Sequence, residues 1–257
     1  MKGLVTVTVI TLLWGTLAIA GPLEFFAGAG PSAAALGSIN EGIRVVNIIT
    51  GDLNTDPRFE GNVPDLPDLG SGLAYSAGER YWITDSFALG GELTYFKSTS
   101  TTSGTYDTSH TIEVSNVSLN LQCQSIGLLI GAKFTFLDVG LRLGVDLGVG
   151  YYYSGFDTDI TFEMPSDYPH SSIQLPSGQA HYNGSSFGIE GGISLSFPIA
   201  DWINVGTSIL YRSLTVQHLT DGEGNGFDFD GDGTAEVADF SGITVRFTIA
   251  LDINLSL

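Results

Sequence analysis

Basic residues and cysteine are scarce in this chain. Only 9 Lys and Arg stand against 28 Asp and Glu in 257 residues, and the formal net charge is −19. Binding to nucleic acid needs clustered Lys and Arg that neutralise phosphates, so this balance argues against nucleic acid as a partner. The one cysteine, Cys123, has no second thiol with which to form an intramolecular disulfide.

Long apolar runs are also missing beyond the start of the chain. No stretch after residue 20 approaches about 18 consecutive apolar residues, so we expect no membrane-spanning helix there. The opening MKGLVTVTVITLLWGTLAIAG has one Lys, an apolar run and small residues before Gly21, which is the order of a secretory signal peptide. We therefore expect a cleaved signal peptide over residues 1–20 and an exported domain over residues 21–257.

Alternation with a period of two residues is what the sequence has in abundance. In VGLRLGVDLGVGYYY (139–153) every odd position is apolar and the even positions are mainly glycine. A strand sends alternate side chains to opposite faces, so this segment predicts a strand with one fully apolar face. The last segment, 240–257, repeats the pattern, and six further segments alternate in the same way: 22–34, 72–83, 86–99, 125–137, 184–198 and 202–217.

The connections between these eight segments are sorted by length. Three are very short and each contains an aspartate (84–86, 137–139 and 200–202), whereas four are long (35–71, 100–124, 157–183 and 218–239). Because short and long connections alternate strictly, all the short turns lie at one end and all the long loops at the other. In the first loop, SINEGIRVVNIIT (38–50) fits either a short helix on the barrel rim or continued strand pairing.

The two faces of the predicted strands differ in polarity. One face is aliphatic, with Tyr and Trp toward the strand ends, and the other carries Gly, Ser and Thr with isolated charges. The first suits lipid and its interfaces, and a sheet in lipid has to close because no water satisfies its edges. The sequence therefore predicts an all-β fold: an eight-stranded antiparallel up-and-down transmembrane β-barrel of a bacterial outer membrane, with short periplasmic turns and long extracellular loops. A soluble ligand-binding barrel is the alternative architecture.

In these features the chain resembles the small eight-stranded outer-membrane barrels of the OmpA/OmpX-like β-barrel domain family. The resemblance covers the whole exported part and rests on the signal sequence, on turn–strand units such as WITDSFALGGELTYF and ADWINVGTSILYR, and on the closing strand. Members of the family usually end that strand in an aromatic residue, whereas this chain ends in INLSL. The resemblance implies the fold; members of this class are structural, adhesive or stress-related surface proteins, and a few modify lipids.

Placing the apolar faces outward leaves ten charged side chains for the barrel interior. They are five acids and five bases: Glu24, Arg80, Glu92, Lys133, Arg142, Asp146, Glu190, Arg212, Arg246 and Asp252. Buried charges are tolerated when they are paired, and an eight-stranded barrel is just wide enough for side chains to fill it. We expect a network of ion pairs that plugs the lumen, with a small-solute channel as the alternative.

The four histidines, His110, His170, His181 and His218, all lie in or beside the long loops. An outer-membrane hydrolase or acyltransferase needs a nucleophile next to a base, and His181 with Ser185 is the best such pair in the sequence. No pattern of a known lipid hydrolase can be placed on these residues one by one. We therefore expect a non-enzymatic protein, with a lipid-modifying enzyme as the alternative.

The long loops carry nineteen of the 28 acidic residues and only two basic ones, Arg44 and Arg58. Within them, GFDFDGDGTAEVADFSG (226–242) fits the spacing of a calcium-binding loop, including Gly233 at the position of the sharp turn. The predicted ligands of a Ca²⁺ site with a Kd of ~0.1–1 mM are Asp228, Asp230, Asp232, the Thr234 carbonyl, Glu236 and Asp239. A merely solvated acidic loop is the alternative.

Together these expectations describe a monomeric barrel in contact with outer-membrane lipid, with an envelope-structural or surface-interaction role. The sequence names no surface ligand, because loops of this kind carry such specificity without recognisable motifs.

Overall fold

The computed structural model of the chain describes residues 22–57, 59–108, 114–162, 178–228 and 236–253. Its elements in chain order are β1 (Leu23–Ala33), α1 (Gly37–Thr55), β2 (Phe59–Asn62), β3 (Ser71–Thr84), β4 (Phe87–Thr108), β5 (Val114–Asp138), β6 (Arg142–Phe162), β7 (Gly178–Ala200), β8 (Ile203–Ser213), β9 (Thr215–Val216), β10 (Ala238–Asp239) and β11 (Gly242–Ile253). Within these ranges no helix combines the length and the apolar character needed to cross a membrane.

Eight of the strands close into a ring of antiparallel pairs. Strands β3 to β8 pair with their neighbours in sequence, β1 pairs with β3, and β11 pairs with both β8 and β1. The β1–β11 ladder, which runs from Leu23 opposite Ile253 to Ser32 opposite Thr244, completes the ring. A closed ring leaves no unpaired sheet edge in the lipid. The predicted eight-stranded antiparallel barrel is thus confirmed.

Short turns join the strands at one end of the barrel. They occupy residues 85–86, 139–141 and 201–202, and the strand before each turn has an irregular register close to its end, at Trp82/Thr84, Thr135/Leu137 and Pro198/Ala200. An extra residue in one strand increases the local twist, which suits a ladder that ends in a tight turn. The long connections all lie at the opposite end, here called the outer end.

Four strands are much longer than predicted. Strands β4 to β7 have 22, 25, 21 and 23 residues, whereas β1, β3, β8 and β11 have 11, 14, 11 and 12. The prediction that 100–124 and 157–183 are loops is therefore wrong for 100–108, 114–124, 157–162 and 178–183, where strands continue. Residues 109–113 and 163–177 lie outside the described residues.

The apolar face of the long strands changes sides part-way along, which explains this error. On β5, Leu119 and Leu121 point inward and are buried, while Ile126 and Leu128 point outward and are exposed. Outward positions level with the buried stretch are polar, as at Asn120. The strands beyond this change therefore have water outside and an apolar core inside. We call this part of the barrel the outer tier, and the interior below it the lumen.

Helix α1 fills the interior of the outer tier. Its buried side chains Ile39, Ile43, Val46 and Leu53 recur at helical spacing and form one face. That face belongs to a hydrophobic core that includes inward residues of β4–β6 and residues of the last long connection: Phe96, Tyr106, Leu121, Phe156, Leu214, Phe227 and Phe240. Of the two expectations for residues 38–50, the helix is confirmed, and it extends to Thr55.

Three asparagines at seven-residue intervals bind α1 to the extended segment 63–69, here called the strap. Each amide donates to the carbonyl and accepts from the N–H of one strap residue, at 2.7–2.9 Å: Asn40 with Leu69, Asn47 with Leu66 and Asn54 with Val63. Seven helical residues rise about 10.5 Å, and three residues of polyproline-type chain rise about 9.3 Å. One three-residue repeat of VPDLPDL therefore spans nearly the same length as seven residues of the helix, so successive asparagines reach successive repeats.

The other side of the strap is bound by β4. Hydroxyl groups at alternate inward positions of the strand donate to backbone carbonyls of the strap, Thr102 to Pro64 at 2.7 Å and Ser100 to Pro67, and just beyond it Ser98 donates to the carbonyl of Ser71 at 2.7 Å. Proline has no N–H, so at Pro64 and Pro67 the carbonyl is the only backbone group that needs a partner. A segment without regular secondary structure is thereby satisfied from both sides.

Replacing Asn47 by Ala tests the asparagine contacts. The change leaves the N–H and C=O of the buried Leu66 without their partner, which costs about 1–3 kcal/mol of stability in the outer tier. We expect limited proteolysis in lipid vesicles to cleave residues 55–70 earlier than in the wild type, while the barrel stays folded. Ile48→Ala, on the exposed side of the same helix, is the matched control, and equal cleavage of the two variants would contradict the assignment.

Candidate functional site

The outward face of the barrel below the outer tier is a belt of exposed apolar side chains. Large members, each at least 49% exposed, occur on β4 to β8 and on β11: Leu93, Leu128, Ile130, Leu147, Val149, Ile189, Ile193, Ile209, Phe247 and Ile249. Tyrosines border the belt on its outer side, and the rings of Tyr75 and Tyr95 stack with centroids 6.4 Å apart. A closed ring with such a belt is the architecture of a bacterial outer-membrane barrel, so the predicted fold and location are confirmed.

Arg80 is the centre of the lumen charges. Its Nη1 lies 3.1 Å from Glu24 Oε1, its Nη2 lies 3.2 Å from Asp146 Oδ1, and its guanidinium lies 4.0 Å from the centroid of the Phe26 ring. Only the Glu24 contact has hydrogen-bond geometry; Asp146 Oδ1 has no hydrogen-bond partner among the described residues, so that contact is an ion pair alone. Lys133 is buried opposite Asp146 in the β5–β6 ladder. Charges from four strands thus meet at one level.

A second level of the lumen is built around Arg246 and Arg212. Arg246 contacts Glu92 and donates to Ser76 Oγ at 2.9 Å. Arg212 Nε donates to the Phe240 carbonyl at 3.1 Å, and its guanidinium lies over the Phe96 ring, 5.1 Å from the centroid. Since both phenylalanines belong to the apolar core of the outer tier, Arg212 marks the boundary between charged and apolar interior.

All ten charges predicted for the lumen occupy inward positions of their strands. Arg142 and Asp252 lie near the short-turn end, 4.0 Å apart, and are more exposed than Arg80, Glu24 and Asp146. The sequence-based placement is therefore confirmed at every position. The alternation of inward and outward residues along each strand was sufficient for this placement, because the apolar belt shows which face of each strand is outward.

Tyr152 lies across the interior above this charged region. It is fully buried, and its ring lies between Gly127 and Gly188. A Cβ at Gly127 would overlap the ring, and one at Gly188 would come within 2.9 Å of it. The two glycines therefore make the space that the tyrosine ring occupies. Sequence reasoning did not identify this arrangement, although the glycines stand in alternating segments.

The last long connection, predicted to bind calcium, is anchored on the outer tier at its described ends. The Phe227 ring packs against Phe156 and Tyr182, with centroids 4.7 and 4.8 Å apart. The Glu236 N–H donates to the Phe227 carbonyl at 2.6 Å, which brings the two ends of residues 228–235 together. The described ends of this connection are therefore held next to each other on the outer tier.

Of the six predicted calcium ligands, Asp228, Glu236 and Asp239 are described, whereas Asp230, Asp232 and Thr234 lie outside the described residues. Asp228 is exposed, and Glu236 and Asp239 are half-buried. Asp239 Oδ1 accepts the Ser241 N–H at 2.9 Å. Within the described residues no group of three or more His, Cys, Asp or Glu side chains is placed to hold a metal.

Asp221 stabilises the turn that precedes this loop. Its Oδ1 accepts the backbone N–H groups of Glu223 and Asn225 at 2.9 and 2.8 Å, and its Oδ2 accepts from the Asn225 side chain at 2.9 Å. The bond from the Asn225 side chain, followed by that from its backbone, lowers the pKa of Asp221. Because the folded pKa is the lower one, this contribution is present above the unfolded pKa and is lost as the pH falls through the folded value.

The candidate catalytic pair is separated by the structure. His181 and Ser185 lie on the same face of β7 but four residues apart, roughly 13 Å along a strand. The His181 ring contacts Asp157 on β6, and Ser185 Oγ is hydrogen-bonded to the Tyr151 hydroxyl at 2.5 Å. His181 is thus not placed to take a proton from Ser185. His110 and His170 lie outside the described residues.

No protein-family model matches the chain, and no curated protein is a significant sequence relative. Among solved structures, it is similar to Neisserial surface protein A, with 11% identity, a TM-score of 0.43, and coverage of 91% of this chain and 98% of that one. A major outer membrane protein of Thermus thermophilus has 13% identity and a TM-score of 0.46, and the match covers 91% of this chain and all of that one. The outer membrane protease OmpT of Escherichia coli has 9% identity and a TM-score of 0.38, with coverage of 91% of this chain and 94% of that one. Such distant similarities transfer no activity, and the fold assignment depends on this chain's own strand order and register.

Replacing Arg80 by Met tests whether the lumen ion pairs stabilise the barrel. Removal of this one cation leaves the buried Glu24 without its partner, and we expect a loss of about 3–5 kcal/mol in the free energy of unfolding. The measurement is urea unfolding of protein folded in lipid vesicles. Arg44→Met is the control, because it removes only the exposed pair with Glu41 and is expected to cost less than about 1 kcal/mol. Losses of similar size in both variants would show that the lumen pairs are not structural.

Proposed function

We propose that the protein is a non-enzymatic outer-membrane barrel with a plugged lumen, which acts in envelope structure or surface interaction through acidic outer loops ordered by Ca²⁺. Its partners in this proposal are the surrounding outer-membrane lipid and a surface ligand bound by the loops. The observation that carries the proposal is the two-level interior, in which Arg80 and Arg246 are paired with acidic side chains in the lumen and a mainly apolar core lies in the outer tier.

The interior supports a structural role over transport. An open path for solutes would have to pass Arg80 with its two acidic partners, then Arg246 with Glu92, and then Tyr152. Above them, helix α1 occupies the outer tier with four fully or nearly fully buried apolar side chains. The core there is mainly apolar, and its buried polar groups, such as Asn40 and Thr50, are hydrogen-bonded within the protein. An ion passing through it would therefore lose its hydration without replacement.

The outer surface supports a calcium-ordered role. The loop end of the molecule carries most of the acidic residues and few bases, so counter-charge has to come from solution. The residues at 228–239 have the spacing of a calcium loop. A loop that supplies so many oxygen ligands suits Ca²⁺ better than Mg²⁺, because Mg²⁺ gives up its bound water reluctantly. The enzymatic alternative lacks such support, because His181 contacts Asp157 and not Ser185.

A plugged lumen predicts the absence of a stable open state. Reconstituted in planar lipid bilayers, the protein should give no large, lasting conductance steps, because side chains fill its interior. A general porin measured in the same bilayers is the positive control. Large and stable conductance by the folded protein would overturn the plugged interior and favour the small-solute channel.

The calcium loop predicts saturable binding in the range of ~0.1–1 mM. Isothermal calorimetry of the folded barrel should detect this binding, and Ca²⁺ should protect residues 228–239 from protease, whereas Mg²⁺ at the same concentration should not. Asp232→Ala removes a predicted ligand and should weaken binding at least tenfold.

Glu223→Gln is the matched control for this measurement. It removes the same charge from the same connection but lies outside the calcium spacing, so its affinity should remain close to that of the wild type. Absence of binding at several millimolar Ca²⁺, or equal affinity of the two variants, would leave only a solvated acidic loop.

A further inference from the structure

Lys97 is an exception on the outward face of the barrel. The other Lys and Arg residues on the described strands of the ring point into the lumen, whereas Lys97 is exposed between the buried, inward-pointing Phe96 and Ser98 of β4. Its ammonium group makes no hydrogen bond or ion pair with any described residue. A cation on the outside of the protein without such a partner is available to an anion from its surroundings.

Lys97 stands at the depth of the lipid headgroups. In the β3–β4 ladder it lies opposite Leu73, two residues beyond the pair of Tyr75 and Tyr95 that borders the belt. Two residues of a strand tilted by about 40° rise roughly 5 Å, and each headgroup layer of a bilayer is about 5–7 Å thick. Leu73 is still 53% exposed, so the same level also presents an apolar surface that suits lipid. Tyrosine rings below a lysine are typical of a membrane interface.

The hydroxyl groups of the two tyrosines differ in availability. The Tyr95 hydroxyl donates to Gln124 Oε1 at 3.3 Å, whereas the Tyr75 hydroxyl has no partner among the described residues. Tyr75 lies diagonally across the ladder from Lys97, and long side chains at diagonal positions reach one another. An ammonium group and a phenol hydroxyl both donate hydrogen bonds, and a phosphate oxygen accepts them.

The acidic residues nearest to this level on the outward face lie on another strand. Next beyond Lys97, β4 and β5 carry the uncharged pair Thr99 and Gln122. The carboxylates Asp157 and Asp159 follow on β6, with Gln122 as a hydrogen-bond donor to Asp157. An anionic headgroup is therefore attracted to the β3–β4 side of the barrel and repelled from the β6 side.

We propose that Lys97, with the Tyr75 hydroxyl beside it, binds the phosphate of an anionic lipid in the outer leaflet, whose acyl chains lie on the belt below. The lipid headgroup is the anion that a membrane supplies at this depth. A free phosphate ion offers the same oxygens but no acyl chains, so the belt adds nothing to its binding. This inference rests on the lipid partner proposed above and gives that partner a chemical class.

Quenching of a single tryptophan by brominated lipid tests the site. Trp82→Phe and Trp202→Phe remove the tryptophans beyond residue 20, and Leu93→Trp places a reporter on β4 four residues below Lys97. The vesicles contain brominated phosphatidylglycerol or brominated phosphatidylcholine, and EDTA prevents bridging by divalent cations. We expect phosphatidylglycerol to bind next to the reporter about fivefold more strongly than phosphatidylcholine, the effect of one lysine near a charged headgroup.

Three variants show whether Lys97 causes this preference. Lys97→Gln should reduce the ratio of the two affinities to about one, whereas Lys97→Arg should keep it. Ile189→Trp in place of Leu93→Trp, 60% exposed on β7, is the matched control and should give a ratio of about one. The site is refuted if Leu93→Trp shows no preference, if Lys97→Gln retains it, if Ile189→Trp shows an equal one, or if inorganic phosphate abolishes it.

The same measurement checks the lipid partner separately. Brominated phosphatidylcholine should quench both reporters, because both positions belong to the belt. Quenching without a preference would refute the phosphate site alone, whereas no quenching by either lipid would contradict the lipid contact on which the inference rests.

Discussion

Backbone hydrogen bonding in lipid is the constraint on which the rest of this structure depends. A sheet in hydrocarbon has no water for unpaired N–H and C=O groups, so the strands continue around until β1 pairs with β11. With eight strands, the interior that results has room for side chains and little else. The charged side chains of the lumen are then satisfied by one another and by neighbouring groups of the barrel: Arg80 lies between Glu24 and Asp146, and Arg246 also donates to Ser76.

Above the lipid the same constraint no longer holds, and the two faces of the long strands exchange their polarity. The ring cannot continue there, because β1, β3, β8 and β11 end while β4 to β7 go on. The open side of this four-stranded wall is filled by the connections themselves: helix α1, the strap and the last loop. Their apolar side chains form the core of the outer tier. The asparagines of α1 and the hydroxyls of β4 satisfy the backbone of a strap that has no regular pairing of its own.

Much of the barrel could be predicted from alternation, because lipid outside each strand imposes one phase on the apolar residues. The ten lumen charges followed from that phase alone. The outer tier could not be found in the same way, since Leu119 and Leu121 continue the alternation in the opposite phase. The contact between α1 and the strap could not be predicted either. It depends on two separate patterns, the seven-residue spacing of Asn40, Asn47 and Asn54 and the three-residue repeat of 63–69, and neither pattern indicates the contact until the fold brings the two segments together. The calcium ligands stay a prediction, because Asp230, Asp232 and Thr234 lie outside the described residues.

A contact between the last loop and the helix makes the outer tier one unit. Leu36, which precedes α1, has a left-handed backbone with φ 45°, a conformation that a non-glycine residue keeps only when its surroundings hold it. Its side chain is fully buried, and its N–H donates to the Asp239 carbonyl at 2.7 Å. Because α1 has no side-chain cap at its start, this contact positions the first turn of the helix. A ligand that binds Asp239 would therefore also stabilise the first turn of α1, because the same residue accepts the Leu36 N–H.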